Sequence, residues 1–163
     1  MENLIAAVAH AAGAPLAERH LAVAAALGPF LRQRDLLCPR TCTPREQRYA
    51  RHLLHADPAG RFAILALVWR PGQASPVHGH RTWCAFGVQS GALEESWFEL
   101  PDATGAPAHR ATFARDVGAC GHAAADPHAI HRLACHEGEG AVSLHVYGVG
   151  GDAIETGVNH VYA

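Results

Sequence analysis

The chain has 163 residues, 49% of them hydrophobic and 17% charged, with a formal charge of -2. That length suits one domain with a substantial core. The near-neutral charge argues against a nucleic-acid binder, which needs excess Lys and Arg to neutralise phosphates. No apolar run approaches the roughly 20 residues of a bilayer-spanning helix, and Met1-Glu2-Asn3-Leu4-Ile5 lacks the basic start of a secretory signal. The expectation is a cytoplasmic globular protein, a monomer or small homo-oligomer, engaging neither nucleic acid nor membrane. Thirteen histidines are many for this length, and imidazole is the commonest transition-metal ligand. Five cysteines cannot all pair within one chain, which suits reduced thiols.

Residues 1–45 are rich in Ala and Leu and read as helical. Leu4, Ile5 and Val8 recur at helical spacing, and Pro15 is placed to open a second helix. Its expected apolar stripe is Leu16, Leu21, Ala24, Ala25 and Leu27, ending near Gly28-Pro29. Cys38-Pro-Arg-Thr-Cys42 stands in a loop-like stretch, and no second pair follows to complete a zinc site. From Tyr49 onward short apolar segments alternate with turn residues. Strands are expected over 62–69, 82–88, 92–100, 108–117, 129–134, 141–147 and 157–162. A loop at 101–107 contains Asp102, Gly105 and Pro107. Seven or more short strands punctuated by Gly and Pro predict an antiparallel sandwich or barrel.

The sharpest local feature is His78-Gly79-His80. On a strand, alternate residues share a face, so both imidazoles can enter one cavity, with Gly79 adding no bulk between them. The surrounding order is Gly72, five residues, His78, one residue, His80, three residues, Cys84, six residues, Gly91. This resembles the first sequence motif of the cupins, except that Cys84 stands where a glutamate ligand is usual. Gly121, five residues, Pro127 and then His131 resemble the second motif, with the final gap one residue shorter than usual. The resemblance implies an all-β cupin double-stranded β-helix, a jelly-roll barrel with the N-terminal α-helices packed outside. One domain would cover residues 1–163, with the helical segment at 1–45 and the barrel at 49–163. It also implies a metal held by His78, His80 and His131. His128, three residues earlier, is expected to face away. Glu94 and Glu95 are expected as solvent-facing or ordinary strand residues, and Trp83 against the cavity wall. Three neutral imidazoles without a carboxylate leave Fe(II) its full charge and open positions suited to oxygen chemistry.

Ala141-Val-Ser143-Leu-His145-Val-Tyr147 alternates strictly, so Ser143, His145 and Tyr147 share one face. Taken alone, that is also the pattern of a strand with an exposed polar side. With Ile130-His-Arg-Leu upstream, it resembles the thiol dioxygenases, the cysteine dioxygenase group of cupins. There the serine–histidine–tyrosine row orients a phenol toward substrate and oxygen. Tyr49-Ala-Arg51-His-Leu-Leu resembles the family segment whose arginine binds the substrate carboxylate, a role suited to a planar guanidinium. Related bacterial enzymes acting on 3-mercaptopropionate carry glutamine there, which favours cysteine for this chain. His55-Ala-Asp-Pro58 and the segment from Gly87 to Gly91 look more like that bacterial group. In animal relatives a cysteine matching Cys84 forms a thioether with the tyrosine matching Tyr147. Here the spacing from His80 is one residue shorter, and the other reading of Cys84 is a small buried thiol.

The resemblance thus implies an Fe(II)-dependent thiol dioxygenase turning a small thiol carboxylate and O2 into a sulfinate, with no organic cofactor. Cysteine is favoured and 3-mercaptopropionate comes next. Tyr147, His145 and Ser143 would serve catalysis, Arg51 the substrate, and Cys84 with Tyr147 a possible crosslink. A three-histidine cupin dioxygenase of another substrate class, a non-catalytic ligand-binding cupin, and a zinc or nickel storage or structural cupin remain alternatives. Nothing in the spacing decides whether Asn159, His160 or Tyr162 approaches the cavity mouth.

Overall fold

A computed structural model describes residues 1–101, 105–136 and 138–162. Asp102 of the expected loop lies outside them. Two helices come first: α1 (Glu2–Ala11) and α2 (Arg19–Leu27). Leu4, Val8 and Ala11 bury one face of α1, following their helical spacing. In α2 the buried residues are Val23, Ala24 and Leu27. Leu16, Leu21 and Ala25 are exposed, contrary to the expected stripe. Val23 and Leu27, four residues apart, stack on one face, and that phase turns Leu21 and Ala25 outward. Pro15 precedes a turn, and the helix begins only at Arg19.

Ten strands follow among the described residues: β1 (Ala50–Ala56), β2 (Ala63–Trp69), β3 (His78–His80), β4 (Cys84–Ser90), β5 (Leu93–Glu99), β6 (Ala108–Arg115), β7 (Cys120–Ala123), β8 (Ile130–Ala134), β9 (Ala141–Tyr147) and β10 (Asn159–Val161). They form two five-stranded sheets, ordered β1-β2-β9-β4-β7 and β10-β3-β8-β5-β6. Every pairing between named strands is antiparallel. The architecture is the expected antiparallel barrel. The expected segments at 82–88 and 157–162 begin or end at somewhat different residues. Three strands lie outside the seven expected segments: β1 mixes His and Arg into its apolar residues, β7 is only four residues long, and β3 is the three-residue His78-Gly79-His80 itself.

The first sheet is buried on both faces, which explains why β2 is apolar at every position. Ile64, Ala66 and Val68 of β2, with Val142, Leu144 and Val146 of β9, meet Leu4, Val8, Val23 and Leu27 of the helices. Leu65, Leu67 and Trp69 point the other way, into a core shared with Cys84, Phe86, Leu133 and Tyr147. The helices therefore cover the sheet from outside, leaving its inner face to build a cavity. Trp83 belongs to the helix-side core rather than to the cavity wall. Its indole lies over Gly148, where a Cβ would come within 2.2 Å of the ring nitrogen.

Gly79 has a stricter role than leaving space between two histidines. A Cβ there would fall 1.9 Å from the Pro127 carbonyl oxygen, because the loop entering β8 crosses the outer side of β3. His80 N–H donates to the Asp126 carbonyl at 3.0 Å in the same crossing. Gly79→Ala is therefore expected to cost about 1–3 kcal/mol of stability, the usual penalty of overpacking against atoms that cannot yield. Urea unfolding of the variant beside the parent protein measures it.

Candidate metal centre and its cavity

His78 and His80 leave β3 on the same face, and the register sets His131 of β8 directly opposite His78. One nitrogen from each of the three imidazoles lies within 4.8 Å of the others, and all three residues are buried. His78 Nδ1 lies 2.9 Å from the Pro76 carbonyl oxygen and donates to it, which leaves Nε2 free. His80 Nδ1 and His131 Nε2 are buried without a hydrogen-bond partner. Buried polar atoms are seldom left unpaired. Lone pairs converging at this distance fit a transition-metal ion held by His78, His80 and His131. Burial, with help from the neighbouring His131, lowers the His78 pKa to about 4; the same causes, with His78 added, lower His80 to about 2. Both rings are therefore neutral near pH 7, the form that binds a metal.

Glu95 is a strand residue, one of the two expected readings, but it does not face solvent. It is buried on β5, on the same face as Leu93, and its Oε1 accepts a hydrogen bond from His131 Nδ1 at 2.7 Å. Its Oε2 accepts from Arg115 Nε at 2.8 Å. Burial opposes ionisation of this carboxyl, but the bonds to His131 and Arg115 outweigh it and hold the pKa below the usual value. The carboxylate is no fourth member of the imidazole cluster. It orients the His131 ring and directs Nε2 into the site. A signal was present in the sequence: Glu95 shares strand parity with Leu93, so an acid occupied a position facing the core. His128 is exposed, as expected.

The strand β9 contributes the second part of the cavity. Ser143, His145 and Tyr147 are buried, which excludes an exposed polar side. Ser143 Oγ lies 2.9 Å from His145 Nε2, and His145 Nδ1 lies 3.1 Å from Tyr147 Oη. Trp69 extends this row, its indole N–H donating to Ser143 Oγ at 2.9 Å. An indole only donates. Trp69 takes one lone pair of Ser143 Oγ; with Ser143 donating to His145 Nε2, His145 donates from Nδ1 to Tyr147 and the phenol proton is left for the cavity. Burial, followed by the charges of His131 and Arg51, lowers the His145 pKa to about 3, while burial raises that of Tyr147. The imidazole is neutral and the phenol protonated.

Cys84 stands directly opposite Tyr147 across the β4–β9 ladder despite its shortened spacing from His80. Burial pushes its thiol up to about 12. Arg51 pairs in register with the inward-facing Leu67, so it projects from the cavity side of β1. Its Nη2 donates to the Ile154 carbonyl at 3.1 Å, and its Nη1 lies 3.5 Å from the Glu155 carboxylate. The three cluster histidines, Cys84, His145 and Tyr147 all line one inner cavity. Arg51 lines an outer cavity of about 440 Å³. Tyr49 and Asn159 line both, so they form the passage between them. Tyr49 also stacks on Trp69 at 4.2 Å between ring centroids. Of the three tail residues left undecided, Asn159 reaches the mouth. His160 and Tyr162 line neither cavity, and Tyr162 donates its hydroxyl to the Pro127 carbonyl. Cys38 and Cys42 belong to a short 3-10 turn and join no cluster of metal-binding side chains among the described residues.

Two antiparallel sheets closed around a buried cavity define a cupin, the double-stranded β-helix fold. Solved structures agree at the level of fold. An uncharacterized conserved protein with a double-stranded β-helix domain from Klebsiella pneumoniae superposes with a TM-score of 0.55 at 14% identity, over 81% of this chain and 99% of that one. A Thermus thermophilus protein gives 0.53 at 17% identity, over 68% and 91% respectively. The family model for cysteine dioxygenase type I matches residues 43–155, and the chain belongs to that family.

Replacing Glu95 by Gln keeps the shape but removes the charge that orients His131. Metal affinity is expected to fall about 10–100-fold. Competition with a chromophoric chelator reads this directly, and circular dichroism should show the fold retained.

Proposed function

We propose that the protein is an Fe(II)-dependent thiol dioxygenase that adds both atoms of O2 to the sulfur of a small thiol acid and releases a sulfinate. Between cysteine and 3-mercaptopropionate, cysteine is favoured. The observation carrying this reading is the orientation of the β9 row. It brings an un-ionised phenol, held by His145, into the cavity lined by the three imidazoles. Family membership supports the same chemistry.

Iron held by His78, His80 and His131 would supply the centre where thiolate and dioxygen meet. The protein contributes position and protons. Arg51 receives the substrate carboxylate at the mouth, with Glu155 giving way; that acid is 77% exposed and free to move. Tyr147 donates a hydrogen bond to the reacting groups and keeps its proton, because burial makes ionisation unfavourable. His145 and Ser143 fix the direction of that phenol, and Glu95 fixes His131. The apolar walls, Leu67 and Phe86 among them, exclude bulk water from the reacting sulfur. A metal-storage cupin would have no use for the oriented phenol.

The opposed positions of Cys84 and Tyr147 also support a thioether between the sulfur and the phenol ring. Side chains directly opposite on antiparallel strands are near neighbours. After aerobic turnover with Fe(II) and substrate, intact-mass spectrometry should find a species lighter by two hydrogens, absent from Cys84→Ala. An unchanged mass would remove the crosslink and leave the dioxygenase reading intact.

Anaerobic loading with Fe(II), followed by oxygen-uptake assays with cysteine, 3-mercaptopropionate and cysteamine, tests the activity. Sulfinate should accumulate in step with oxygen consumed. Tyr147→Phe should lower kcat by about 100-fold or more. Arg51→Gln should raise KM for cysteine and leave KM for cysteamine, which has no carboxylate, unchanged. Equal turnover of cysteine and cysteamine by the parent protein would remove Arg51 from substrate binding, and absence of uptake with every thiol would remove the activity.

A further inference from the structure

The outer cavity is larger than its proposed task requires. Its 440 Å³ corresponds to about fifteen waters at liquid density, of which a thiol amino acid with seven non-hydrogen atoms displaces roughly half or fewer. It is also strongly basic. Arg45, Arg48 and Arg51 line it, against the single carboxylate of Glu155. That carboxylate is already taken by Arg51, whereas Arg45 and Arg48 pair with no acid among the described residues. Arg48 and Arg51 flank Tyr49, and both act electrostatically on its phenol at the passage to the inner cavity. An amino acid offers one carboxylate, and Arg51 alone suffices for it.

From the surplus of space and of positive charge, we infer that the enzyme's substrate is a thiol carrying two carboxylates. Arg51 binds the first, and Arg48 with Arg45 binds the second. This deepens the thiol-dioxygenase reading and rests on it. The sulfur enters the inner cavity past Tyr49 and Asn159, while both acidic groups stay in the basic mouth. Asn159 adds a polar contact at that narrowing, because its buried Oδ1 has no partner within the protein. It accepts a hydrogen bond from the substrate, or donates one through its amide if the group is turned over. Two guanidinium partners for a second carboxylate give charge-assisted hydrogen bonds, each strong enough to change selectivity. They also draw a dianion from solution more strongly than a monoanion or a zwitterion.

The test compares mercaptosuccinate with 3-mercaptopropionate and cysteine in oxygen uptake by the Fe(II)-loaded protein. Mercaptosuccinate is expected to have at least about tenfold the kcat/KM of either. The ratio should fall toward one in Arg45→Ala/Arg48→Ala, and fall in the parent as salt is raised. A parent ratio of one or less overturns the inference, as does a ratio unchanged in the double variant. Calorimetric titration with succinate and with propionate, neither of which carries sulfur, separates the inference from the reading beneath it. If no thiol is oxidised but succinate binds more tightly than propionate, and only with both arginines present, the dicarboxylate site stands and the oxidation falls. If thiols are oxidised but succinate shows no such preference, the oxidation stands and the dicarboxylate site falls.

Discussion

Three imidazoles face one another in a buried cavity, where His80 Nδ1 and His131 Nε2 have no hydrogen-bond partner in the protein. Everything else in the barrel accommodates that constraint. Unpaired polar atoms in an apolar interior carry a desolvation cost of about 1–3 kcal/mol each. The cost is justified only when an occupant uses those atoms. The two sheets hold the rings in place through backbone pairing: β3 sets the spacing of His78 and His80, and the β3–β8 register sets His131. The site therefore rests on hydrogen-bonded strands rather than mobile loops. Gly79 lets the β8 entry loop cross β3 closely enough to keep that register.

Polar groups elsewhere in the cavity are satisfied in a directed way. Ser143, His145 and Tyr147 lie on a central strand buried on both faces, where an unpaired hydroxyl or imidazole would be destabilising. Trp69 supplies the missing end of the row. Its indole can only donate, so one inert-looking core residue biases the hydrogen bonds of the three that follow. Glu95 plays a corresponding part for His131 from the opposite sheet, and Arg115 keeps that buried acid ionised. One sheet thus orients the Tyr147 phenol and the other the His131 imidazole. The cavity between them is where the two functions meet.

Much of this was legible in the sequence, for a simple reason. Strand periodicity is two, so HxH and SxHxY each declare that their residues share a face. Chain-distant partners were harder. Trp69 closes an unbroken apolar strand, and nothing local marks its indole as a donor to a residue on β9. Glu95 carried a readable signal, being an acid in phase with Leu93, but neighbouring Glu94 disguised the pair as a polar stretch. The α2 stripe was displaced because alanines match any face; only Val23 and Leu27 fix its phase. Trp83 was misplaced by proximity in sequence. One residue before Cys84, it necessarily points to the opposite side of the sheet, into the helix-side core.

The entrance obeys different physics from the interior. In the inner cavity His78, His80 and His145 are neutral, the thiol and phenol keep their protons, and specificity comes from direction. At the mouth, guanidinium groups remain hydrated and partly exposed, so they attract anions at little desolvation cost. Separating the two zones would let the proposed substrate meet both. The proposed substrate's acidic end would be recognised where water still screens the arginines, and its sulfur delivered to the buried inner cavity. A carboxylate ligand at the metal would cancel charge at the inner site and compete with an anionic sulfur donor. With Cys84 at the position where that acid is usual, the proposed thiol substrate would supply the negative charge, and the basic mouth favours anions.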